Sequence, residues 1–280
     1  ERDVIQPSSR VLMKLGKALG CKVEYFLRPI QVRVEGAIHR ERAGRAQRDR
    51  KAVYTRAAEC VERYLTIETI LNLRISFDMP QIERRIHSLN DVERVALEVR
   101  KAWELGLGPI GNLVEVLEDQ GIKVCLISGD VGFDALLILL KDGSPVIAVK
   151  DNVPGDRLRF SLAHELGHLI LGHAPGLTKE DEKAAHRFAG AFLVPESRVR
   201  HELAAWGPKR PFGFLHMLKE EYGLSVQAWI YRAKDVGIIS QTEYTRLFQR
   251  LGHRRKQELG KPYPPEQPRR MKWLINIALM

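Results

Sequence analysis

Two histidines and a carboxylate near the middle of the chain stand at a spacing that can hold a metal ion and move a proton. They are His164, Glu165 and His168 in the run His164-Glu165-Leu166-Gly167-His168, an H-E-x-x-H pattern. Successive helix residues turn by about 100°, so on a helix His164 and His168 lie one turn apart and ~40° off register, on one face. Two imidazoles so placed can both reach one Zn²⁺ at ~2.0–2.1 Å. Glu165 points to the flank of that face, where it can take a proton from an attacking water. A catalytic zinc needs a third protein ligand and an open fourth position.

The third ligand is sought downstream, in Glu-Asp-Glu-Lys-Ala-Ala-His-Arg-Phe-Ala from Glu180. Ala184, Ala185, Phe188, Ala189, Phe192 and Leu193 mark a second amphipathic helix that ends at Pro195. Its polar start offers Glu180, Asp181, Glu182 and, one turn after Glu182, His186. Spacing favours Glu182 or His186 without separating them. A glycine three residues and a histidine six residues after His168 would give a third histidine ligand directly, but those places hold Leu171 and Ala174. His173, one position early, reads as a cap or surface residue rather than a ligand.

The elements that must position these residues follow from the apolar periodicity. Phe160, Leu162 and Ala163 before the motif, and Leu169 to Leu171 after it, bury a helix that starts near Gly155-Asp156. Upstream lies a β section: Ile122 to Ile127, then Ala135 to Leu140 and Pro145 to Lys150 around the turn Lys141-Asp142-Gly143-Ser144. A small sheet edge beside such a helix lets an extended peptide add as a strand. Residues 78–120 read as two or three helices, one over 91–106 and one opened by Pro109-Ile110 and ended by Gly121. Residues 196–250 are mostly helical, with a Gly223-Leu224-Ser225 break, a helix to Asp235, Gly237 as C-cap and Ser240 as N-cap. That break looks like a helix-turn-helix, but a small supporting bundle is the preferred reading.

Composition bounds the remainder. The chain has 280 residues, 44% hydrophobic and 29% charged, enough to bury a core. No apolar run reaches the ~18 residues of a membrane span, and the start Glu-Arg-Asp-Val-Ile-Gln lacks a secretory pattern. Cys21, Cys60 and Cys125 form neither a metal knuckle nor a disulfide frame, so a reduced, cytoplasmic protein is expected. The start at Glu1 rather than Met suggests a fragment. The net charge of +10 is concentrated at the end, where Arg246 to Lys272 holds nine Lys/Arg against two Asp/Glu, with four prolines. That tail can bind nucleic acid or an acidic partner, or extend freely; Met271 to Ile275 is apolar enough to dock back. The run from Gly44 to Lys51, Gly-Arg-Ala-Gln-Arg-Asp-Arg-Lys, can touch phosphates but reads first as a solvated face.

The stretch Arg159-Phe-Ser-Leu-Ala-His-Glu-Leu-Gly-His, followed by E-x-x-A-x-x-F-A-x-x-F-L-x-P from Glu182, resembles the ImmA/IrrE family of metallopeptidases, whose pattern is RFxxAHELGH and then E-x-x-A-N-x-F-A-x-x-L-L-M-P. The resemblance implies a zincin-like α+β fold, mostly helical with a small β-sheet. It implies Zn²⁺ on His164, His168 and Glu182, with Glu165 as catalytic acid/base. Two positions depart from the pattern: His186 stands where the family has Asn or Asp, which leaves open an extra ligand or a partner to Glu182, and Val194 stands where it has Met. An oxyanion donor is unassigned, with Arg159, His173 and His186 near in sequence. Residues 225–240 also match the family's regulators, and the resemblance covers most of residues 30–250.

Pro7-Ser8-Ser9 and the helix after it, on to Leu27, resemble the closing helices of a Cro/repressor-type (XRE) helix-turn-helix domain, whose recognition helix would lie before Glu1. The implied organisation is residues 1–28 as the end of a DNA-binding domain, 29–77 a basic linker and connecting helix, 78–200 the metallopeptidase, 201–250 helical support and 251–280 a basic Pro-rich tail. The implied activity is cleavage of a repressor-like transcription factor, coupled to DNA through the N-terminal domain, with no membrane partner. The alternative is a regulator whose zinc domain senses a signal or binds a partner without cutting it.

Overall fold

A computed structural model describes residues 8–20, 22–27, 34–38, 47–128, 133–173, 177–207, 209–252 and 262–279. The chain divides into two compact units, Glu1–Arg33 and Val34–Met280. The first holds α1 (Ser9–Leu19) and α2 (Glu24–Leu27). Gly20 ends α1 in the left-handed region, with φ 65°. Ser8 occupies the N-cap but makes no side-chain cap bond. Cys21 lies outside the described residues.

The second unit runs β1 (Val34–Ile38), α3 (Gln47–Leu71), α4 (Leu89–Ala102), α5 (Leu113–Asp119), β2 (Lys123–Ile127), β3 (Ala135–Leu140), β4 (Pro145–Lys150), α6 (Gly155–Leu171), α7 (Lys179–Leu193) and α8 (Glu196–Leu203). It continues with α9 (Phe212–Tyr222), α10 (Val226–Asp235), α11 (Gln241–Leu251) and α12 (Arg270–Ala278). The result is the expected α+β fold, mostly helical with a small mixed sheet. Strand order is β1-β3-β4-β2: β3 pairs antiparallel with β4, from Ala135↔Val149 to Leu139↔Pro145, and β2 pairs parallel with β4. No helix among the described residues is long and apolar enough to cross a membrane.

Three parts differ from the sequence expectation. Val34–Ile38, read as linker, is an edge strand antiparallel to β3. Its five residues, Val-Glu-Gly-Ala-Ile, are too short and too mixed in polarity to signal a strand. Residues 78–120 hold two helices, and α5 starts after Asn112 rather than at Pro109, because the Asn112 side chain accepts from the Glu115 N–H and caps it. The tail docks through Met271 to Ile275, as the sequence allows, but Tyr263 to Glu266, read as part of a solvated Pro-rich tail, docks as well. The helices expected near Gly155-Asp156, from the polar run at Glu180, after the Gly223-Leu224-Ser225 break and after Ser240 are present, the last under a Ser240/Glu243 capping box. The Gly44–Lys51 run and residues 253–261 lie wholly or partly outside what is described.

The core explains why the tail docks. Helix α6 is buried nearly all round, with Leu158, Leu162, Ala163, Leu166 and Ile170 out of water together with Asp156, Arg159, Glu165 and His168, so its polar groups need partners from the elements that cover it. It packs on β3, β4, α5 and α7. The segment from Tyr263 to Glu266 covers its start. The Gly155 N–H donates to the Tyr263 carbonyl at 2.9 Å. A Cβ on Gly155 would stand 2.1 Å from the Pro264 carbonyl oxygen, so only glycine admits this crossing. Glu266 then accepts from the N–H groups of Leu113 and Val114, at 2.8 and 3.1 Å, two donors that the start of α5 cannot satisfy within the helix. The same carboxylate pairs with Arg159 of α6, which is fully buried and also donates to the Ile110 carbonyl at 2.8 Å. Beyond it, α12 packs on α3, with Leu274 fully buried. The Arg270 N–H donates to Glu118, which also accepts from Tyr64 of α3.

Glu266 therefore joins α5, α6 and the tail through one carboxylate. Glu266→Ala should lower unfolding free energy by about 3–5 kcal/mol, the loss typical when one partner of a buried ion pair is removed. Glu266→Gln, which keeps an acceptor for the α5 amides, should lose less; urea titrations of the two variants check the order.

Candidate metal centre

The site is built from the facing sides of α6 and α7. Glycine at 167 allows them to meet: a Cβ there would lie 3.1 Å from the Phe188 ring and 3.2 Å from the Ala185 Cα. The first turn of α7 is fixed by a capping box. Thr178 Oγ1 accepts from the Asp181 N–H at 3.1 Å, and the Asp181 carboxylate accepts from the Thr178 N–H at 2.8 Å. Glu182, next in the chain, is thereby held opposite the histidines of α6.

His164 Nε2 and His168 Nε2 are 3.1 Å apart. Glu182 brings Oε2 to 3.7 Å from His164 Nε2 and Oε1 to 3.9 Å from His168 Nε2. Ligands bound tetrahedrally to zinc at ~2.0–2.1 Å stand ~3.3 Å from one another, so these separations suit three ligands of one ion. Burial keeps both imidazoles neutral, the form that binds metal. It lowers His164 from 6.5 to about 2 and His168 to about 4, with neighbouring histidines adding to the effect. A second grouping shares His164 and Glu182 but takes His186, with all donor atoms within 4.8 Å. The 3.1 Å between His164 and His168 Nε2, near the tetrahedral edge, favours the His168 set. His186 faces His164 with ring centroids 4.5 Å apart and is exposed on its other side.

Glu165 is buried at the flank of the histidine pair. Burial raises its carboxyl from 4.5 to about 8, opposed by a hydrogen bond from the Leu137 N–H of β3 and reinforced by the Glu182 charge. Its Oε2 has no hydrogen-bond partner among the described residues, and neither has His164 Nδ1. Of the three residues near the motif that left an oxyanion donor open, Arg159 is excluded by its burial and its bonds to Glu266 and Ile110.

His173 caps α6, one of the readings the sequence offered, and its ring has a place the sequence did not reveal. Its backbone N–H caps α6 by donating to the His168 carbonyl at 3.1 Å, and its ring Nδ1 lies 2.8 Å from His168 Nδ1. His173 Nε2 is 3.6 Å from Asp181 Oδ1. Were Nε2 of His168 bound to a metal, its Nδ1 would carry the proton and donate to His173, whose own Nε2–H would then face Asp181. The signal was a histidine just beyond the helix cap, where the left-handed Gly172, φ 71°, turns the chain back on the last helical turn. His173→Ala should weaken zinc binding by roughly 10–100-fold, as removal of such partners does; competition against a chelating dye reads it.

The buried groups also set the pH behaviour of the metal-free protein. The folded state holds a proton on Glu165 more tightly than the unfolded chain, so this contribution is intact below pH 4.5 and is lost as pH rises to about 8. His164 and His168 act oppositely: their contribution is present above pH 6.5 and is lost as pH falls through about 4 and about 2. Above pH 6.5 only the Glu165 loss remains of the three. Metal-free protein should lose stability between pH 6.5 and 8, and Glu165→Gln should flatten that fall; denaturant midpoints at the two pH values decide it.

The profile of the IrrE N-terminal-like domain, Peptidase_M78, matches residues 117–234, from the end of α5 into α10. It includes every donor described above and leaves Glu1–Arg33 outside. No curated protein matches the chain.

Proposed function

From an IrrE N-terminal-like metallopeptidase domain over residues 117–234, we propose that the chain is a zinc-dependent endopeptidase that hydrolyses one bond of a repressor-type protein. The observation that carries this reading is the set His164, His168 and Glu182, with donors 3.1–3.9 Å apart and the buried Glu165 beside it. Zinc held by these three side chains would polarise the scissile carbonyl, lower the pKa of water towards ~7 and favour the Glu165 carboxylate by its charge. Glu165 Oε2, free of partners among the described residues, takes the proton of the attacking water. The same carboxyl then returns that proton to the departing amine nitrogen. The Leu137 N–H holds the other part of the carboxylate in place. His173 and Asp181 orient His168 from behind, and Gly167 keeps Glu182 within reach.

Coupling to transcription is proposed through residues 1–28, which resemble the closing helices of a Cro/repressor-type domain. Helix α1 exposes Val11, Leu15 and Leu19, the stripe that a closing helix would bury against the rest of such a domain. A repressor is the proposed substrate on the same resemblance.

The test is incubation of zinc-loaded protein with co-encoded repressor-like proteins, followed by mass spectrometry of the products. Cleavage at one bond is expected, with Glu165→Gln keeping one equivalent of zinc and losing turnover by about 10²–10⁴, the range of general acid–base contributions. Full zinc loading without cleavage of any candidate would replace this reading by that of a regulator that binds without cutting.

A further inference from the structure

His186 occupies a position that neither the ligand set nor Glu165 accounts for. It lies one turn after Glu182 on α7, and its donor atom is within 4.8 Å of those of His164 and Glu182. The His164 and His168 Nε2 atoms, 3.1 Å apart, already make the close pair of the preferred set, which leaves His186 outside it. Its ring stacks at a tilt on both His164 and Phe160, with centroids 4.5 and 5.6 Å away, so neighbours fix its orientation.

Unlike the almost fully buried His168, His186 is exposed. The surface it reaches is the wall of a cavity of about 740 Å³ between α6, α7 and α10, lined also by Phe160, Lys183, Val226 and Tyr231. His186 thus borders the donor cluster on one side and the cavity on the other. A chain whose reacting carbonyl lies at the cluster and whose neighbouring side chain enters the cavity must pass it. The other two candidates are committed elsewhere: Arg159 to Glu266 and Ile110, and His173 to His168.

We infer that His186 is a catalytic residue that contacts the substrate, donating a ring N–H to the scissile carbonyl oxygen as that oxygen becomes negative. This rests on the peptidase reading above. Water adds to the carbonyl carbon, the C=O π pair moves onto oxygen, and Glu165 takes the water proton. His186 keeps its own proton and stabilises the oxygen by the hydrogen bond alone. When the C–N bond breaks, the pair returns to the carbonyl and the amine leaves with the proton from Glu165. Such a donor acts mainly on the transition state, so its loss lowers kcat by about 10²–10³ and leaves KM little changed.

The test uses His186→Ala and His186→Asn in the full chain, with two readouts. The first is cleavage of the mapped repressor bond: kcat should fall about 10²-fold or more in His186→Ala at similar KM, with partial recovery in His186→Asn, which keeps an N–H donor. The second needs no turnover. In cobalt-substituted protein, the visible spectrum without added anion should be unchanged by His186→Ala, while the titration midpoint for inorganic phosphate, a tetrahedral oxyanion, should rise about tenfold or more. A changed anion-free spectrum, or a lost equivalent of metal, would make His186 a ligand and overturn the inference. Unchanged kcat and unchanged phosphate affinity would overturn it equally. Should the wild type cleave nothing, the peptidase reading fails on its own, and the phosphate titration still reports whether His186 faces the oxyanion position.

Discussion

Without a side chain at Gly167, α7 can lie against α6 so closely that Ala185 Cα and the Phe188 ring would touch any Cβ there, at 3.2 and 3.1 Å. A glutamate reaches only a few ångströms from its backbone, so Glu182 can come within 4 Å of both histidines only if the helices are this near. Phe188, Ala189 and Phe192 share one buried cluster with Leu162, Leu166 and Ile170, so the candidate metal site adjoins the main hydrophobic core. Burial of the two histidines and of Glu165 follows from it. So do their depressed and raised proton affinities, because desolvation is the largest cause for each.

A helix buried on all sides creates a problem with charge. Several basic side chains of this core are almost wholly out of water, and each is given oxygen partners. Arg100 donates to the carbonyls of Phe192, Gly106 and Gly108 at 2.6–2.8 Å. Glu93 of α4 serves both Arg187 of α7 and Arg232 of α10. Arg159 has Glu266. Pairs of this kind gain little net stability over apolar packing, because desolvation offsets the attraction. What they supply here is register. Each links elements distant in sequence: Glu93 ties α4, α7 and α10 together, and Glu266 ties α5 and α6 to the tail. A helix that must present two nitrogens and a carboxylate to within a few tenths of an ångström gains from such directional contacts on its far side.

What could be read from the sequence was local. The H-E-x-x-H spacing, the apolar run around it and the next helix up to Pro195 all have periods a single chain displays, and α6 and α7 form where those periods place them. The cap at Ser240 is likewise local chemistry, whereas the Thr178 cap of α7 was not singled out. Spacing could not choose between Glu182 and His186, since both lie on the inward side of α7; the distances to His164 and His168 required the packing angle of two helices. The role of His173 was hidden by one residue of offset, because Gly172 reverses the chain before it. The docking of Glu266 was hidden by 107 residues of separation from Arg159 and by a tail whose charge reads as solvated. Strand β1 carries almost no pattern of its own and forms on the edge that β3 provides.

The first two turns of α7 then distribute three tasks by helical angle alone. Asp181 turns outward to cap its own helix and to meet His173, which meets His168 from behind. Glu182, 100° further round, faces the two Nε2 atoms. His186, four residues on and close to the same face, lies one turn along the axis, beside His164 and at the cavity wall. Moving any of them by one residue would rotate it out of its place, and the capping box of Thr178 and Asp181 itself fixes where the helix begins, and so where all three point. An asparagine at 186 could still donate a hydrogen bond, but on a shorter side chain without the ring that Phe160 and His164 hold in place. The histidine therefore places its donor further from the α7 axis and nearer to the space a substrate must cross.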